Sequence, residues 1–180
     1  MPGCSPMHSF AGPTLVLMAD GRTKRIDRVV PGDLVRATDP ATGRTTSQRV
    51  TRVHEHADSA EFVSITAAGG SITATGHHPF WNDSIGKWQR ADTLGNAARI
   101  RATDGSLKPV NVTPTSPTPG RVVYNLTVDG VHTYHIKIGT SDALVHNCAD
   151  EDDFLDRYIE AAEPPWNYDR PFSRGPLGSS

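Results

Sequence analysis

The sequence predicts an all-β fold, and two observations support that prediction. Short apolar runs are separated by Gly, Pro, Asn and Asp residues at intervals of about ten residues, a spacing typical of strands joined by tight turns. The chain of 180 residues also contains 16 Gly and 14 Pro, a content that favours turns over long helices. At 36% hydrophobic and 21% charged residues, the composition fits one soluble domain with a buried core.

The first half of the chain is predicted to form strands that turn back on one another. Leu15–Met18 is a buried-strand run, and Leu34–Ala37 is a second strand. A third strand, the returning strand of a hairpin, contains Val50 and Val53. The segment Ile72–Thr75 is the outgoing strand of a further hairpin. The predicted turns are Asp20-Gly21, Pro31-Gly32-Asp33, Thr42-Gly43 and Gly69-Gly70.

The second half continues the same pattern after one interruption. Residues 88–101 are expected to hold a short turn and a strand, whereas residues 104–121, rich in Pro, Thr and Ser, are predicted to be a loop. The stretch VVYNLTVDGVHTYHIKI reads as two strands joined at Asp129-Gly130, and ALVHN as a last short strand.

An abrupt change of charge follows Cys148. Residues 149–180 contain eight acidic and three basic residues, although the whole chain has a net charge of only −2. This change predicts a boundary there, with 148–180 as a downstream segment. In that segment Phe154, Leu155, Tyr158 and Ile159 have helical spacing, and the final RGPLGSS is expected to be a tail.

Composition also excludes some classes of function. A net charge of −2 gives no indication of nucleic-acid binding. No apolar stretch approaches the roughly 20 residues that a membrane-spanning helix needs. We therefore expect no nucleic-acid and no membrane partner, and a monomer.

The triplet His146-Asn147-Cys148 is the most specific chemical feature. The side-chain amide of an Asn can attack its own backbone carbonyl, forming a succinimide and breaking the bond to the next residue. An adjacent imidazole can assist by polarising that carbonyl or by protonating the leaving nitrogen. The Cys148 thiol could in turn accept an acyl group delivered to the same place.

Other polar residues have a spacing that suits the same chemistry. Thr75 precedes His78 by three residues in TATGHHPFW, so a hydroxyl and an imidazole could act on one peptide bond. His132 follows Asn125 by seven residues on a predicted strand pair. Thr75 alone would be read as an ordinary β-branched strand residue.

Taken in order, these motifs resemble the Hedgehog/intein (Hint) family. The series FAGPTLVLMADG, PGD, TATGHHPF, VYNLTVDGVHTY and ALVHNC is most similar to bacterial intein-like Hint domains of polymorphic toxins, over about residues 4–148. The resemblance implies a horseshoe-shaped all-β domain, 4–147, in which both chain ends meet at one active site, with residues 1–3 as an upstream flank.

The resemblance also implies a role for each motif. The domain would cleave or splice its own backbone without a cofactor or metal, and its partners would be its own flanking segments in a larger bacterial protein, cytoplasmic or secreted. Thr75 and His78 would activate the upstream bond, His132 and His146 would assist the downstream step, and Asn147 would cyclise. Asn125 stands where the family usually has Asp, and an amide cannot act as a base. The implied catalytic set is Cys4, Ser9, Thr75, His78, Asn125, His132, His146, Asn147 and Cys148.

The first nucleophile is left open between Cys4 and Ser9. The family pattern of nucleophile-Phe-x-x-x-Thr-x-Val, counted back from FAGPTLV, gives Ser9. Chemistry favours Cys4, because a thiolate forms near neutral pH far more readily than an alkoxide. A bulge at residues 5–8 could bring Cys4 into the site, and we place Cys4 narrowly first.

Three alternatives compete with these assignments. Cys4 and Cys148 could form a disulfide if the two chain ends meet. His77-His78 and the pair His54 and His56 could bind a metal, although no Cys or carboxylate completes a zinc-like spacing. The whole domain could also be a catalytically impaired Hint scaffold that acts as a linker or binding module.

Overall fold

The structure of the protein, a computed structural model, describes residues 8–58 and 61–147. Within these ranges the chain is all-β, as predicted, and the only helical pieces are two single 3-10 turns at Ile26–Arg28 and Ala91–Thr93. None of its described helices is long and apolar enough to cross a membrane.

Fifteen strands account for most of the described chain. They are β1 Phe10–Ala11, β2 Leu15–Leu17, β3 Thr23–Arg25, β4 Leu34–Asp39, β5 Arg44–Asp58, β6 Phe62–Ala67, β7 Gly70–Thr75, β8 Pro79–Asn82, β9 Lys87–Arg90, β10 Arg99–Arg101, β11 Leu107–Pro109, β12 Asn111–Pro114, β13 Arg121–Val128, β14 Thr133–Ile138 and β15 Ser141–His146. One sheet has the order β12-β6-β7-β1-β13-β5-β4. The other has the order β11-β10-β8-β15-β14-β2-β3, with β9 paired to β8. Every strand pairing is antiparallel, so tight turns suffice for most connections.

Aromatic side chains join the two sheets next to the chain ends. Phe10 of β1 makes edge-to-face contacts with Phe80 of β8, at 6.0 Å between ring centroids, and with Tyr134 of β14, at 6.4 Å. All three side chains are completely buried. Removing such a ring from a core typically costs about 3–5 kcal/mol. Because each ring lies within two residues of Ser9, His78 or His132, the core also fixes where those residues lie.

Most predicted turns are confirmed, and one is shifted by a residue. Gly32 and Gly130 adopt positive φ angles of 98° and 73° in the turns foreseen for them. At Gly130 the positive φ favours glycine, and a Cβ there would lie 2.6 Å from Oε1 of Gln48 and displace that side chain. The β6–β7 hairpin turns at Ala68 and Gly69, which both have positive φ, rather than at Gly69-Gly70.

The prediction of a continuous loop over 104–121 is wrong in part. Strand β11 pairs with β10, and β12 pairs with β6 at the edge of its sheet. An edge strand tolerates proline because one side of its backbone needs no partner, which explains how Pro109 and Pro114 fit into strands. The predicted helical stripe at 154–159 and the terminal tail lie outside the described residues.

Candidate functional site

The register of β1 determines the surroundings of Ser9. Phe10 pairs with Ala74 on β7 and with Tyr124 on β13. Continued by one residue, the same register sets Ser9 between Thr75 and Asn125, on neighbouring strands. Opposed residues of antiparallel strands face the same side of a sheet, so these three side chains share one face.

The second sheet surrounds Asn147 in the same way. Val145 pairs with Phe80 across β15 and β8, and His146 pairs with Thr133 across β15 and β14. Continuing both registers sets Asn147 between His78 and His132. The backbone N–H of Asn147 donates to the carbonyl of His132 at 2.9 Å, as this register requires.

Residues 8 and 9 therefore lie close to residue 147. The imidazole rings of His8, which precedes Ser9, and His78, which opposes Asn147, lie 6.3 Å apart between centroids. The ring of Phe10 packs on His78 at 4.1 Å. One cluster of buried groups thus borders both the bond before Ser9 and the bond after Asn147.

Around Ser9, hydrogen bonds involve the backbone and not the side-chain hydroxyl. The Ser9 N–H donates to Oγ1 of Thr75 at 2.9 Å, and the Thr75 N–H donates to the Ser9 carbonyl, also at 2.9 Å. Ser9 is completely buried. Its Oγ has no hydrogen-bond partner among the described residues. A buried hydroxyl in this state has lost its hydrogen bonds to water without gaining a protein partner, which is energetically unfavourable.

Around Asn147, hydrogen bonds hold every part of the residue that would react. Its side-chain Nδ2 donates to the carbonyl of Val128 at 2.9 Å. Its backbone carbonyl accepts from Nδ1 of His146 at 2.8 Å, which requires the tautomer with a proton on Nδ1. Asn147 itself is only 2% exposed. The imidazole is therefore already in position to polarise the carbonyl that a cyclising amide would attack.

Burial keeps His8 and His78 neutral. Desolvation is the main reason that the pKa of His8 falls from 6.5 to about 3, and the positive potentials of His77, His146 and Arg90 lower it further. The pKa of His78 is lowered well below 6.5, again chiefly by burial and then by His8 and His146. Both rings are thus uncharged near pH 7. Hydrogen-bonding contacts of the His78 ring with the backbone of His146 and His8 act in the opposite direction, but they are weaker than the effect of burial.

Asn125 is fully buried, and its carbonyl oxygen is already occupied. Its Oδ1 accepts from the Tyr134 hydroxyl at 2.6 Å and from the Leu126 N–H at 2.8 Å. Burial raises the pKa of Tyr134 well above 10, so that hydroxyl stays protonated and remains a donor. Asn125 therefore acts as an acceptor in the wall beside Ser9.

His132 contributes its backbone more directly than its ring. Its φ angle is +58°, uncommon for a residue other than glycine, and its side chain is exposed. Nδ1 contacts the carbonyl of Val128 at 3.1 Å, the same carbonyl that holds the Asn147 amide. The His132 ring therefore reaches Asn147 only through the Val128 carbonyl, whereas the His132 carbonyl accepts directly from the Asn147 N–H.

Seven of the nine predicted site residues come together here. Ser9, Thr75, His78, Asn125, His132, His146 and Asn147 border the two junctions. Cys4 and Cys148 lie outside the described residues, so their roles and their pairing remain predictions. Sequence reasoning missed His8, Tyr134 and the Val128 carbonyl. Within residues 8–58 and 61–147, no group of three or more His, Cys, Asp or Glu side chains is arranged to hold a metal ion.

The amino-acid sequence matches a known family. The model described as pretoxin HINT domain matches residues 15–148. This span includes Asn147 and Cys148 but neither Cys4 nor Ser9, so it does not distinguish the two candidate nucleophiles. A comparison with curated protein sequences gives no match.

Solved structures show the same fold. The solution structure of a bacterial intein-like domain from Clostridium thermocellum is 28% identical, with a TM-score of 0.71 over 78% of this chain and 99% of that one. A DnaB intein from Synechocystis is 22% identical, with a TM-score of 0.66 over 78% and 99% of the two chains. A DnaX mini intein from Spirulina platensis is also 22% identical, with a TM-score of 0.63 over 78% and 100%. The two inteins, at this identity, support the fold alone.

Proposed function

The chain belongs to the pretoxin Hint domain family, and we propose that it breaks its own backbone before Ser9 and after Asn147. The observation that carries this proposal is the meeting of both junctions in one buried cluster of polar groups. Such a domain acts on its own flanking segments, so its natural products are an upstream and a downstream polypeptide. Cleavage after Asn147 would release the downstream segment, which we propose is an effector.

At the upstream junction we propose an N–O acyl shift. Oγ of Ser9 attacks the His8 carbonyl, an ester forms, the peptide bond breaks, and the hydroxyl proton passes to the Ser9 nitrogen. Thr75, whose Oγ1 lies 2.9 Å from that nitrogen, can hand over this proton. The neutral His78 can serve as the base that accepts it first. Ser9 is the nucleophile that these contacts support, and the proposed domain is then 9–147 rather than 4–147.

At the downstream junction we propose cyclisation of Asn147. Nδ2 bonds to the backbone carbon of the same residue, the bond to Cys148 breaks, and a proton moves from the side-chain amide to the Cys148 nitrogen. His146 donates to the carbonyl oxygen as negative charge develops there. The Val128 carbonyl orients the attacking amide. If the upstream ester is first transferred to Cys148, both steps together give splicing.

An intact-mass time course of the 180-residue protein tests this proposal. We expect a fragment ending at Asn147, lighter by one water than the free acid, and absent in Asn147→Ala. Water can hydrolyse the ester, which frees the Ser9 hydroxyl and a peptide of residues 1–8 with a carboxylic acid end. Release of this peptide would identify Ser9 as nucleophile, and Ser9→Ala would abolish it. A released peptide of residues 1–3, lost in Cys4→Ala and retained in Ser9→Ala, would instead identify Cys4.

A second candidate is a Hint scaffold that has lost turnover. The observation that favours it is Asn125, an amide whose oxygen is held by Tyr134 where the family usually has a carboxylate. On this reading the full-length mass persists from pH 5 to pH 9 with and without reductant. That outcome would overturn autoprocessing in favour of a linker or binding role.

A further inference from the structure

An indole ring packs against the imidazole that polarises Asn147. The rings of Trp88 and His146 meet at 83°, with centroids 5.2 Å apart. Trp88 belongs to β9, which pairs with β8, and β8 pairs with β15 just before His146. Three adjacent strands thus bring one aromatic side chain against one proposed catalytic ring.

Trp88 is itself held in place by a second indole. It pairs across the β8–β9 hairpin with Trp81, and the two rings lie 5.3 Å apart at 72°. The Nε1 of Trp81 donates to Oδ1 of Asp83 at 3.2 Å, which fixes that ring in turn. An aromatic ring that packs against a second indole offers a stiff surface to the imidazole.

That surface limits what the His146 ring can do. The side chain is only half-buried, so without a neighbour it could rotate toward solvent. A perpendicular aromatic contact favours one orientation of the ring plane. In that orientation Nδ1 lies 2.8 Å from the Asn147 carbonyl oxygen.

We propose that Trp88 is a positioning residue for the downstream cleavage, acting through His146. The inference rests on the proposed cyclisation of Asn147 and adds a side chain that does not touch the reacting atoms. The indole holds the imidazole against the carbonyl while the C–N bond to Cys148 breaks. Trp88 lies outside every motif on which the family resemblance depends.

Replacing the indole tests this directly. Trp88→Leu keeps apolar bulk but removes the ring, and we expect cleavage after Asn147 to slow about tenfold, part of the 10²–10⁴-fold that a positioned acid or base supplies. Trp88→Phe keeps a smaller ring and should slow it about two- to threefold. Ile85→Ala, at the exposed tip of the same hairpin, is the control and should leave the rate unchanged. Thermal unfolding of each variant checks that it folds.

Two double variants show whether Trp88 works through His146. In a His146→Ala background, adding Trp88→Leu or Trp88→Phe should change the residual rate by less than about twofold, because the group they position is gone. If Trp88→Leu slows the reaction as much without His146 as with it, the proposal is overturned. Should Trp88→Leu not fold, Trp88→Phe takes its place, and its effect on the rate of cleavage after Asn147 is compared with and without His146→Ala.

NMR of the His146 ring separates this inference from the failure of the proposed function. In Asn147→Ala protein, which cannot cyclise, the ring can be followed directly. The perpendicular indole favours one orientation of the ring, the one in which Nδ1 donates to the carbonyl of residue 147. Trp88→Leu should therefore mix the two neutral tautomers of His146. An unchanged tautomer would overturn the positioning role even if the wild-type protein cleaves.

Discussion

The two junctions share one cluster but are prepared to different degrees. At the downstream end, the backbone N–H, backbone carbonyl and side-chain Nδ2 of Asn147 each have a hydrogen-bond partner, and only its Oδ1 has none among the described residues. At the upstream end, the backbone of Ser9 is held by Thr75, but Oγ, the proposed nucleophile, has no partner in the same part of the chain. The Asn147 carbonyl, where the proposed downstream attack occurs, is therefore held in place more fully than the Ser9 Oγ, the proposed upstream nucleophile.

This difference has a consequence for rates. Groups that are already held in a reactive geometry lose little conformational entropy on reaching the transition state. The downstream step should therefore proceed without the upstream one, whereas the upstream step needs the Ser9 hydroxyl to engage a base such as His78. We expect cleavage after Asn147 to be the faster reaction.

The largest effect should come from His146. His146→Ala removes the donor to the Asn147 carbonyl and should slow downstream cleavage about 100-fold, with upstream cleavage slowed much less. His132→Asn keeps the backbone carbonyl and suits the positive φ angle, so the downstream rate should fall less than about threefold. Quantifying both fragments by mass in each variant measures this contrast. Equal losses in the two variants would mean that the His132 ring is as important as that of His146.

A smaller effect should follow from restoring the carboxylate at residue 125. In Asn125→Asp, the Tyr134 hydroxyl and Leu126 N–H can go on donating to Oδ1, and the second carboxylate oxygen replaces Nδ2. We expect upstream cleavage to accelerate about tenfold, because a base then lies on the strand beside Ser9. The measurement is the initial rate of peptide release at pH 7. A slower upstream reaction in a folded variant would show that the amide is preferred here.

The smallest effect concerns stability and pH. His8 has a pKa of 6.5 in the unfolded chain and about 3 in the folded one, so the unfolded chain binds more protons between these values. Stability present above pH 6.5 is therefore lost as the pH falls, by up to about 1.4 kcal/mol per pH unit for each such histidine. Urea unfolding of a Ser9→Ala, Asn147→Ala protein, from about pH 7 to about pH 5, measures the slope.

The matched control is His8→Gln in that same protein. Glutamine keeps polar atoms at this position but cannot titrate. The dependence of the unfolding free energy on pH should therefore become shallower, by the equivalent of up to one bound proton. His78, whose pKa is also depressed by burial, should account for a further part of the slope. If His8→Gln leaves the slope unchanged, His8 is not the buried neutral group described here.

Much of the fold and of the site followed from the sequence because those features have local signals. Turns such as Pro31-Gly32-Asp33 and Asp129-Gly130 need particular backbone angles that few residues adopt. The order of the motifs gave Thr75, His78 and Asn147. The prediction of a continuous loop over 104–121 was wrong because it depended on tertiary pairing. Strand β12 forms because it pairs with the edge of β6, and residues 111–114 carry no local signal of that pairing.

The missed parts of the site share a physical reason. The Val128 carbonyl belongs to the backbone, which every residue has, so no side-chain pattern marks it. Trp88 belongs to none of the sequence motifs, and its contact with His146 arises only when β8 pairs with both β9 and β15. His8 acquires its depressed pKa from burial, a property of the assembled sheets.

The most direct test of the central claim compares both junctions in one protein. Freshly purified Ser9→Ala protein, with Cys4 also replaced by Ala, can be followed by intact mass at pH 7. If the downstream junction is preorganised, the fragment ending in a succinimide at Asn147 will form at the wild-type rate, although upstream cleavage is abolished. If that fragment fails to form, or forms only when the upstream step is intact, the downstream geometry is not competent by itself and the claim is contradicted.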